Sequence, residues 1–354
     1  MPQSGPLFRR RRVLQLMAGV TGAAVLHACN TSSETSEEGG TATGGDAPAL
    51  AMSMGSAPWV GQLPIYIAQE KGFFEDEGLD FELLLFGASG DYISAFASDN
   101  VNSLAPVSAE AILLDTQGKD FKIVLVQDNS VGGDGILARD TIASIEDFKG
   151  KEVAVDTTGV SYFFLLQVLK EAGLTKDDIT IVNVDPAGAA AAFESGNVDI
   201  AVSYAPYLPQ TARAVEDGRI IYDSSKMPTA IIDLYLVDTD FIAENPEAVQ
   251  AFVNGVFRGT QFIDESNTEA LEIGAKELEV TPEELEGDLK GVKIPSLEDN
   301  LAMLAQPDSD TYLLTPLQEL SEFLVEEGQI DSAPEDIESL FDPQFILAYQ
   351  EQNA

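Results

Sequence analysis

Short apolar runs alternate along this chain with longer stretches in which apolar side chains return every three or four positions. These two periods distinguish buried strands from amphipathic helices. The clearest unit is residues 153–173. Val153 to Val155 reads as a strand and Asp156-Thr157-Thr158-Gly159 as a turn. A helix follows with apolar positions at Phe163, Leu166 and Leu169, stopping at Ala172-Gly173. The same reasoning predicts strands at 51–54, 81–86, 103–107 and 121–126. It predicts helices at 63–71 and from the turn at 87–91 to Ala97. Alternating elements of this length imply parallel α/β layers.

The pattern occurs twice. Ala95-Phe96-Ala97-Ser98-Asp99-Asn100-Val101 matches Ala192-Phe193-Glu194-Ser195-Gly196-Asn197-Val198 at an offset of 97, and a strand is expected after each. Gly78-Leu79 and Gly173-Leu174 each end a helix before a strand, so the unit at 153–173 has its counterpart around residues 53–71. Two related α/β halves are therefore expected. Crossings near 127–136 and 229–237 would join them as a hinge. Residues 50–128 plus 236–354 then form lobe 1, and 129–235 form lobe 2. The C-terminal part reads as helical and packed back on lobe 1. Asn245-Pro246-Glu247 opens a helix reaching Ile263, and Thr281-Pro282-Glu283-Glu284 and Thr315-Pro316-Leu317-Gln318 read as capping boxes. Residues 264–311 are acidic and weakly patterned and suggest little function.

Residues 1–29 read as an export signal: Arg9 to Arg12, then a short apolar run from Val13 to Val25. Arg10-Arg11-Arg12-Val13-Leu14-Gln15 resembles a twin-arginine pattern. Leu26-His27-Ala28-Cys29 resembles a lipobox, with Cys29 the lipidated residue; the alternative is a plain signal cut near Ala28. Residues 30–49 have the composition of a flexible tether. An extracytoplasmic, lipid-anchored protein is expected.

Charge narrows the class of partner. The chain has 19 basic and 60 acidic residues, a net −41; without Arg9 to Arg12 it has 15 basic and 60 acidic, or −45. Such a surface repels nucleic acid and anionic lipid and suits a salty medium. The one cysteine and one histidine, Cys29 and His27, both fall at the end of the leader. The body is thereby excluded from Ser-His-Asp and Cys-His catalysis, from His- or Cys-based zinc sites and from disulfides. No cofactor or metal is expected, although carboxylate-only catalysis and oxygen-ligated Ca²⁺ or Mg²⁺ stay open.

Ligands of open α/β sheets sit beyond the carboxyl ends of strands. That rule selects the loops at 55–59, 108–110, 157–161 and 204–207. Trp59, the single tryptophan, is either an aromatic wall for a ligand or the anchor of its loop. Tyr204 and Pro206 follow a buried strand, and Tyr204 and Tyr207 either face a ligand or pack on the hinge. Ser108, Thr157, Thr158 and Ser161 supply hydroxyls, or simply cap helices, and Gly159 opens the helix start. Asn129 and Asp233 lie on the crossings, within reach of the cleft. None of these loops carries Lys or Arg, while Asp91, Glu110, Asp156 and Asp185 lie near strand ends. Those carboxylates disfavour a strongly anionic ligand and favour an amine-bearing, zwitterionic or neutral one, although singly each reads as a solvated surface group.

Tyr66-Ile-Ala-Gln-Glu-Lys-Gly-Phe-Phe-Glu-Asp-Glu-Gly-Leu-Asp80 resembles the first-helix signature of substrate-binding proteins of ABC importers, of the nitrate/sulfonate/taurine and thiamine-pyrimidine-precursor type. Ile145 to Val155 resembles the opening of their second lobe. Residues 192–201 with Tyr204-Ala205-Pro206 resemble their acidic strand and aromatic-x-Pro turn, and Phe341-Asp342-Pro343 fits near the end. The resemblance covers roughly residues 50–262 well and the tail loosely. It implies a two-lobe α/β fold like that of periplasmic binding proteins, with a hinge and a central cleft. Such a protein, expected to be monomeric, would close on a small solute (sulfonate, taurine, nitrate or a pyrimidine precursor) and present it to permease subunits. Carried over by position, the ligand residues are Trp59, Ser108, Thr157, Thr158, Gly159, Ser161, Tyr204 and Pro206. Ala205 stands where the family often has an acidic residue, which separates the chain from any one subfamily's solute. The pyrimidine-synthesising relatives use histidine, which the body lacks. Two other classes stay open: a carboxylate-based enzyme on the same scaffold, and a sensory receptor partner.

Overall fold

The computed structural model describes residues 50–353. The leader at 1–29 with Cys29 and the tether at 30–49 lie outside the described residues. Strand β1 (Leu50–Ser56) passes through a tight turn at Val60–Gln62 into helix α1 (Leu63–Glu70). The short α2 (Phe73–Asp76), β2 (Leu79–Leu85), α3 (Ser89–Ala97), β3 (Ser103–Leu104), α4 (Ser108–Thr116) and β4 (Phe121–Ser130) follow. A second layer then begins with β5 (Asp134–Arg139), β6 (Glu152–Val155) and α5 (Val160–Glu171). It continues through β7 (Thr180–Asn183), α6 (Pro186–Glu194), β8 (Ile200–Tyr204), α7 (Tyr207–Ala214) and β9 (Gly218–Asp223). The chain returns on β10 (Ile232–Asp238) and ends in a helical set. These elements are α8 (Thr239–Glu244), α9 (Pro246–Glu265), α10 (Asn267–Leu278), α11 (Pro282–Asp288), the edge strand β11 (Val292–Lys293), α12 (Leu297–Leu304), α13 (Leu314–Glu326) and α14 (Gln344–Gln352).

Two sheets result, ordered β11-β4-β10-β3-β1-β2 and β7-β6-β8-β5-β9. In the first, β1 lies between parallel neighbours β2 and β3, and β3 pairs antiparallel with β10. In the second, β6 lies between parallel β7 and β8, and β8 pairs antiparallel with β5. The repeated heptads serve one purpose. Asp99 and Gly196 both take left-handed backbone, at φ 57° and 74°. The amides of Asn100 and Asn197 each donate to the carbonyl five residues back, Ala95 and Ala192, at 2.9 Å. Each heptad thus closes a helix and turns the chain into the next strand. A glycine meets that φ without strain, and aspartate is among the few other residues that tolerate it.

The C-terminal helices cover the first sheet. α9 lies on α1 and α2 so closely that a Cβ on Gly259 would overlap the Pro64 carbonyl of the first, and one on Gly255 the Phe74 ring of the second. Phe74 stacks on Phe252, and Tyr235 meets Phe252 edge-on, so this contact carries much of the aromatic core.

Several local expectations change. The strand expected at 103–107 ends at Leu104, because Pro106 has no N–H for the ladder; Val107 keeps only an isolated bridge to Asp233. Ser108 to Glu110, expected as a strand end, is the first turn of α4. Asn245 does not cap α9 with its side chain, which instead donates back to the Phe241 carbonyl at 3.5 Å. α13 begins at Leu314, so Thr315 lies inside the helix and forms no capping box. The Thr281 box does form: Thr281 Oγ1 accepts from the Glu284 amide at 3.2 Å, and Glu284 accepts from the Thr281 amide at 2.9 Å. Residues 264–311 are ordered helices plus β11. There the Gly291 carbonyl accepts from the amides of Val131 and Gly133 at 2.8 and 2.9 Å, bracing the outgoing crossing.

Candidate functional site

The two sheets meet across a cavity at the carboxyl ends of their parallel strands. Ser56 closes β1 and Tyr204 closes β8, and both line it. Trp59 follows β1 in extended conformation, φ −149° and ψ 141°, before the turn that starts α1. Its Nε1 donates to Asp128 Oδ2 at 2.9 Å, and its ring meets Tyr204 edge-on, with centroids 5.8 Å apart at 89°. Gly61 and Gly133 make the slot for this indole, since a Cβ on either would overlap it.

Behind these rings stand buried carboxylates. Glu110, in the first turn of α4, is wholly buried; both its oxygens accept from Tyr92 Oη, at 2.9 and 2.8 Å, and Oε2 accepts from the Val107 amide at 3.2 Å. Asp128 and Asp233 lie directly opposite each other on β4 and β10. Asp134 opens β5, its amide donating to Ser130 Oγ at 3.2 Å. Asp134 and Asp233 line the cavity, with Gln62, Ser89 and Tyr92. No Lys, Arg or His lies among the lining residues. Burial pushes Glu110 and Asp134 each up to about 7, although hydrogen bonds from Tyr92 to the first and from Ser130 to the second oppose the shift. Burial also raises both Asp128 and Asp233, the charge of Asp134 adding to the shift of the first and the charge of Asp128 to that of the second. Glu110 and Asp134 therefore titrate near neutrality.

The cleft is shut. The Ser89 amide donates to Asp156 Oδ2 at 3.2 Å and the Gly90 amide to Thr158 Oγ1 at 2.9 Å, joining the first turn of α3 to the β6–α5 turn. Asp156 holds that turn by accepting from the Thr158 amide at 2.9 Å and its hydroxyl at 2.5 Å. A Cβ on Gly159 would overlap Ser89 Oγ and Glu110 Oε1, so glycine lets the two jaws touch. The cavity that remains measures about 30 Å³, room for a few waters. A solute larger than a few waters enters only when the jaws part.

The candidate residues separate into groups. Trp59 and Tyr204 line the cavity from opposite lobes. Ser108 and Ser161 are buried with no hydrogen-bond partner for their hydroxyls, each one residue beyond a lining residue, Val107 and Val160. Gly159 faces Ser89 and Glu110. Thr158 is exposed and serves the jaw contact, while the amide of half-buried Thr157 is taken by Asn183 Oδ1 at 3.1 Å. Pro206 is buried behind a cis peptide with Ala205. Of the four carboxylates that read singly as surface groups, Glu110 and Asp156 are buried, because each has donors waiting for it; Asp91 and Asp185 are exposed. Of the crossing residues, Asp233 lines the cavity, whereas Asn129 Nδ2 donates to the Pro228 carbonyl at 2.8 Å. Sequence reasoning passed over Gln62, Ser89, Tyr92 and Asp134. A glutamine just before the first α1 residue and a serine opening α3 at a strand end were the available signals.

Two lobes of like topology closing on a cavity between their strand ends define the periplasmic-binding-protein-like fold. Within it, the chain belongs to the NMT1/THI5-like family, whose model matches residues 59–270. The taurine-binding periplasmic protein of Escherichia coli (strain K12) is 26% identical over 204 residues, 56% of this chain and 62% of that protein. The riboflavin-binding protein RibY of Chloroflexus aurantiacus is 25% identical over 316 residues, 84% of this chain and 86% of that one. Among solved structures, the periplasmic aliphatic sulphonate binding protein SsuA from Escherichia coli superposes with a TM-score of 0.68 at 19% identity, covering 84% of this chain and 94% of that one. The desulfurization enzyme DSZB gives a TM-score of 0.65 at 15% identity, covering 86% and 100%. At such identities the likeness of structure shows the fold alone, and the fold carries binding proteins and an enzyme alike.

Proposed function

We propose that this chain is the solute-binding component of an ABC importer, held outside the cytoplasmic membrane by lipid on Cys29, and that it captures a small solute between Trp59 and Tyr204. The observation that carries this reading is the shut cleft: aromatic rings from both lobes meet over one cavity, and the jaws join through the Ser89–Asp156 and Gly90–Thr158 bonds. A clamp that must open to admit its ligand fits a carrier that delivers to a permease. The taurine- and riboflavin-binding relatives support the class of protein. Their solutes differ from each other, so neither is transferred. Mass spectrometry of the small molecule that co-purifies with the protein tests the reading. A stoichiometric solute released by mild denaturation is expected; a protein that carries none, and whose Trp59 fluorescence responds to no solute of its native medium, refutes it. Replacing Cys29 by serine should release the protein from the membrane fraction.

The facing pair Asp128 and Asp233 supports a second reading, an enzyme using carboxylates as acid and base. Chromatography of a bound solute after long incubation separates the two: an importer component returns it unchanged.

A further inference from the structure

We propose that the solute of this cavity is a small organic cation bearing an ammonium or amidinium group. The inference rests on the solute-binding reading above and specifies its ligand class. The cavity wall offers a ligand more acceptors and negative charge than donors. Several of its donors are spent on the protein itself: Trp59 Nε1 on Asp128, Tyr92 Oη on Glu110, Gln62 Nε2 on Ser56 Oγ and the Ser89 amide on Asp156. The hydroxyls of Ser108 and Ser161 stay unpartnered at its border, and acceptors are left over beside them. Gln62 Oε1 is buried in the lining residue without a partner, as is Asp128 Oδ1 just behind Trp59. Asp134 and Asp233 line the space, and among the described residues neither they, nor Glu110, nor Asp128, form an ion pair; the pairs elsewhere involve other carboxylates.

Buried carboxylates without a cation are costly, and a ligand cation supplies the missing partner. The rings of Trp59, Tyr92 and Tyr204 border the same space, and an aromatic face attracts a desolvated cation. A sulfonate or nitrate would bring only acceptors and negative charge to a wall that already has both. Among the described residues no three carboxylates converge as a metal site would require, which favours an organic cation over a metal ion. Because burial already raises Glu110, Asp128, Asp134 and Asp233, a bound cation should expel protons as it enters. Asp156, Tyr92 and Tyr204 are the other titratable groups around the space.

The test uses the purified full chain and probes matched in size and opposite in charge: ethanolamine, taurine and isethionate on a two-carbon frame, and benzamidine against benzenesulfonate on a ring. Binding is read by Trp59 fluorescence and by calorimetry in two buffers of different ionisation heat. The cationic member of at least one set should bind tenfold or more tighter than its anionic partner, with net proton release. Asp134→Asn and Asp233→Asn, folded by circular dichroism, should each weaken that cation tenfold or more. Tighter binding of isethionate or benzenesulfonate overturns the cation proposal and leaves solute binding intact. An equal response to Mg²⁺ or Ca²⁺ at the same concentration overturns its organic part. Silence from every probe overturns the proposal too, and the co-purification experiment then decides whether solute binding itself stands.

Discussion

β1–α1 and β6–α5 are the same strand–turn–helix unit built twice, and the turns between strand and helix have gone opposite ways. In the first unit, seven strand residues lead to Trp59 and Gln62, large side chains that occupy the cleft. In the second, four strand residues lead to Asp156, Thr157, Thr158 and Gly159, short side chains that fold on themselves and meet the backbone of the other jaw through Asp156 and Thr158. The carboxylates are divided unevenly too. Among the acids that burial raises, Asp128 and Asp233 lie on strands of the first sheet and Glu110 on α4, whereas Asp134 opens a strand of the second. A duplicated scaffold has thus become a filled jaw and a bare jaw that fit one another.

The sharpest way to test that division is pH. Glu110 and Asp134 have folded-state values of about 7, above the ordinary 4.5 and 3.8. A group raised on folding adds stability that is fully present below its unfolded value and is lost as pH climbs through the folded one. The solute-free protein should therefore be more stable at pH 5 than at pH 8, each group contributing on the order of 3 kcal/mol. The surface charge acts in the same direction, so the discriminating measurement is urea unfolding of Asp134→Asn. Its stability should vary less with pH by that amount; an unchanged slope removes the raised acid assigned to the second sheet. Next in size is Gly159→Val. The added side chain cannot fit against Ser89 and Glu110, so solute affinity should fall about 100-fold, roughly 2.7 kcal/mol, and small-angle scattering should show parted lobes. Gly87→Ala, where the added carbon meets open space, is the control and should change neither. If Gly159→Val still closes, the bare jaw is not bare for a reason.

On the filled jaw, Trp59→Phe keeps the ring and removes the donor to Asp128. A loss of about 1–3 kcal/mol in urea unfolding is expected, with the denaturant slope unchanged. A loss within error would mean that the indole bond to Asp128 does not hold this wall. The smallest effect should come from outside both jaws. Arg213 of α7 pairs with Glu284 at 3.5 Å and Asp288 at 3.6 Å beside α11, linking the second lobe to the C-terminal helices. Arg213→Ala should cost less than about 1 kcal/mol, and less again in salt. A larger and salt-resistant loss would show that the lobes are held together by this edge as well.

The fold was legible in the chain because its signals are local. The heptads at 95–101 and 192–198 close helices in the same way, and strand after strand lies where the apolar runs put it. The misses are equally physical. α4 was hidden because Ser108-Ala109-Glu110 follows an apolar run without a break, and Pro106 shortened β3 by withholding one amide. The cavity was legible where a residue is conspicuous alone, as Trp59 and Tyr204 are, and at Asp233, whose place on a crossing points it to the cleft. Glu110 becomes a buried acid because Tyr92 lies across from it, and Asp156 because the Ser89 amide, 67 positions away in sequence, points at it. Such pairings exist only once two halves have been brought face to face, so no reading of one stretch could separate these carboxylates from the many on the surface.

The two kinds of joint between the lobes have different weather. Lys170 with Glu326, and Arg213 with Glu284, are exposed pairs that dissolved ions weaken. The Ser89–Asp156 bond at the mouth is buried, and ions reach it poorly. For a chain this acidic, brine would loosen the outer seams while leaving the latch at the mouth almost untouched. Such a protein would grip in the sea much as it grips in fresh water, and its rim would be the only part to notice the difference.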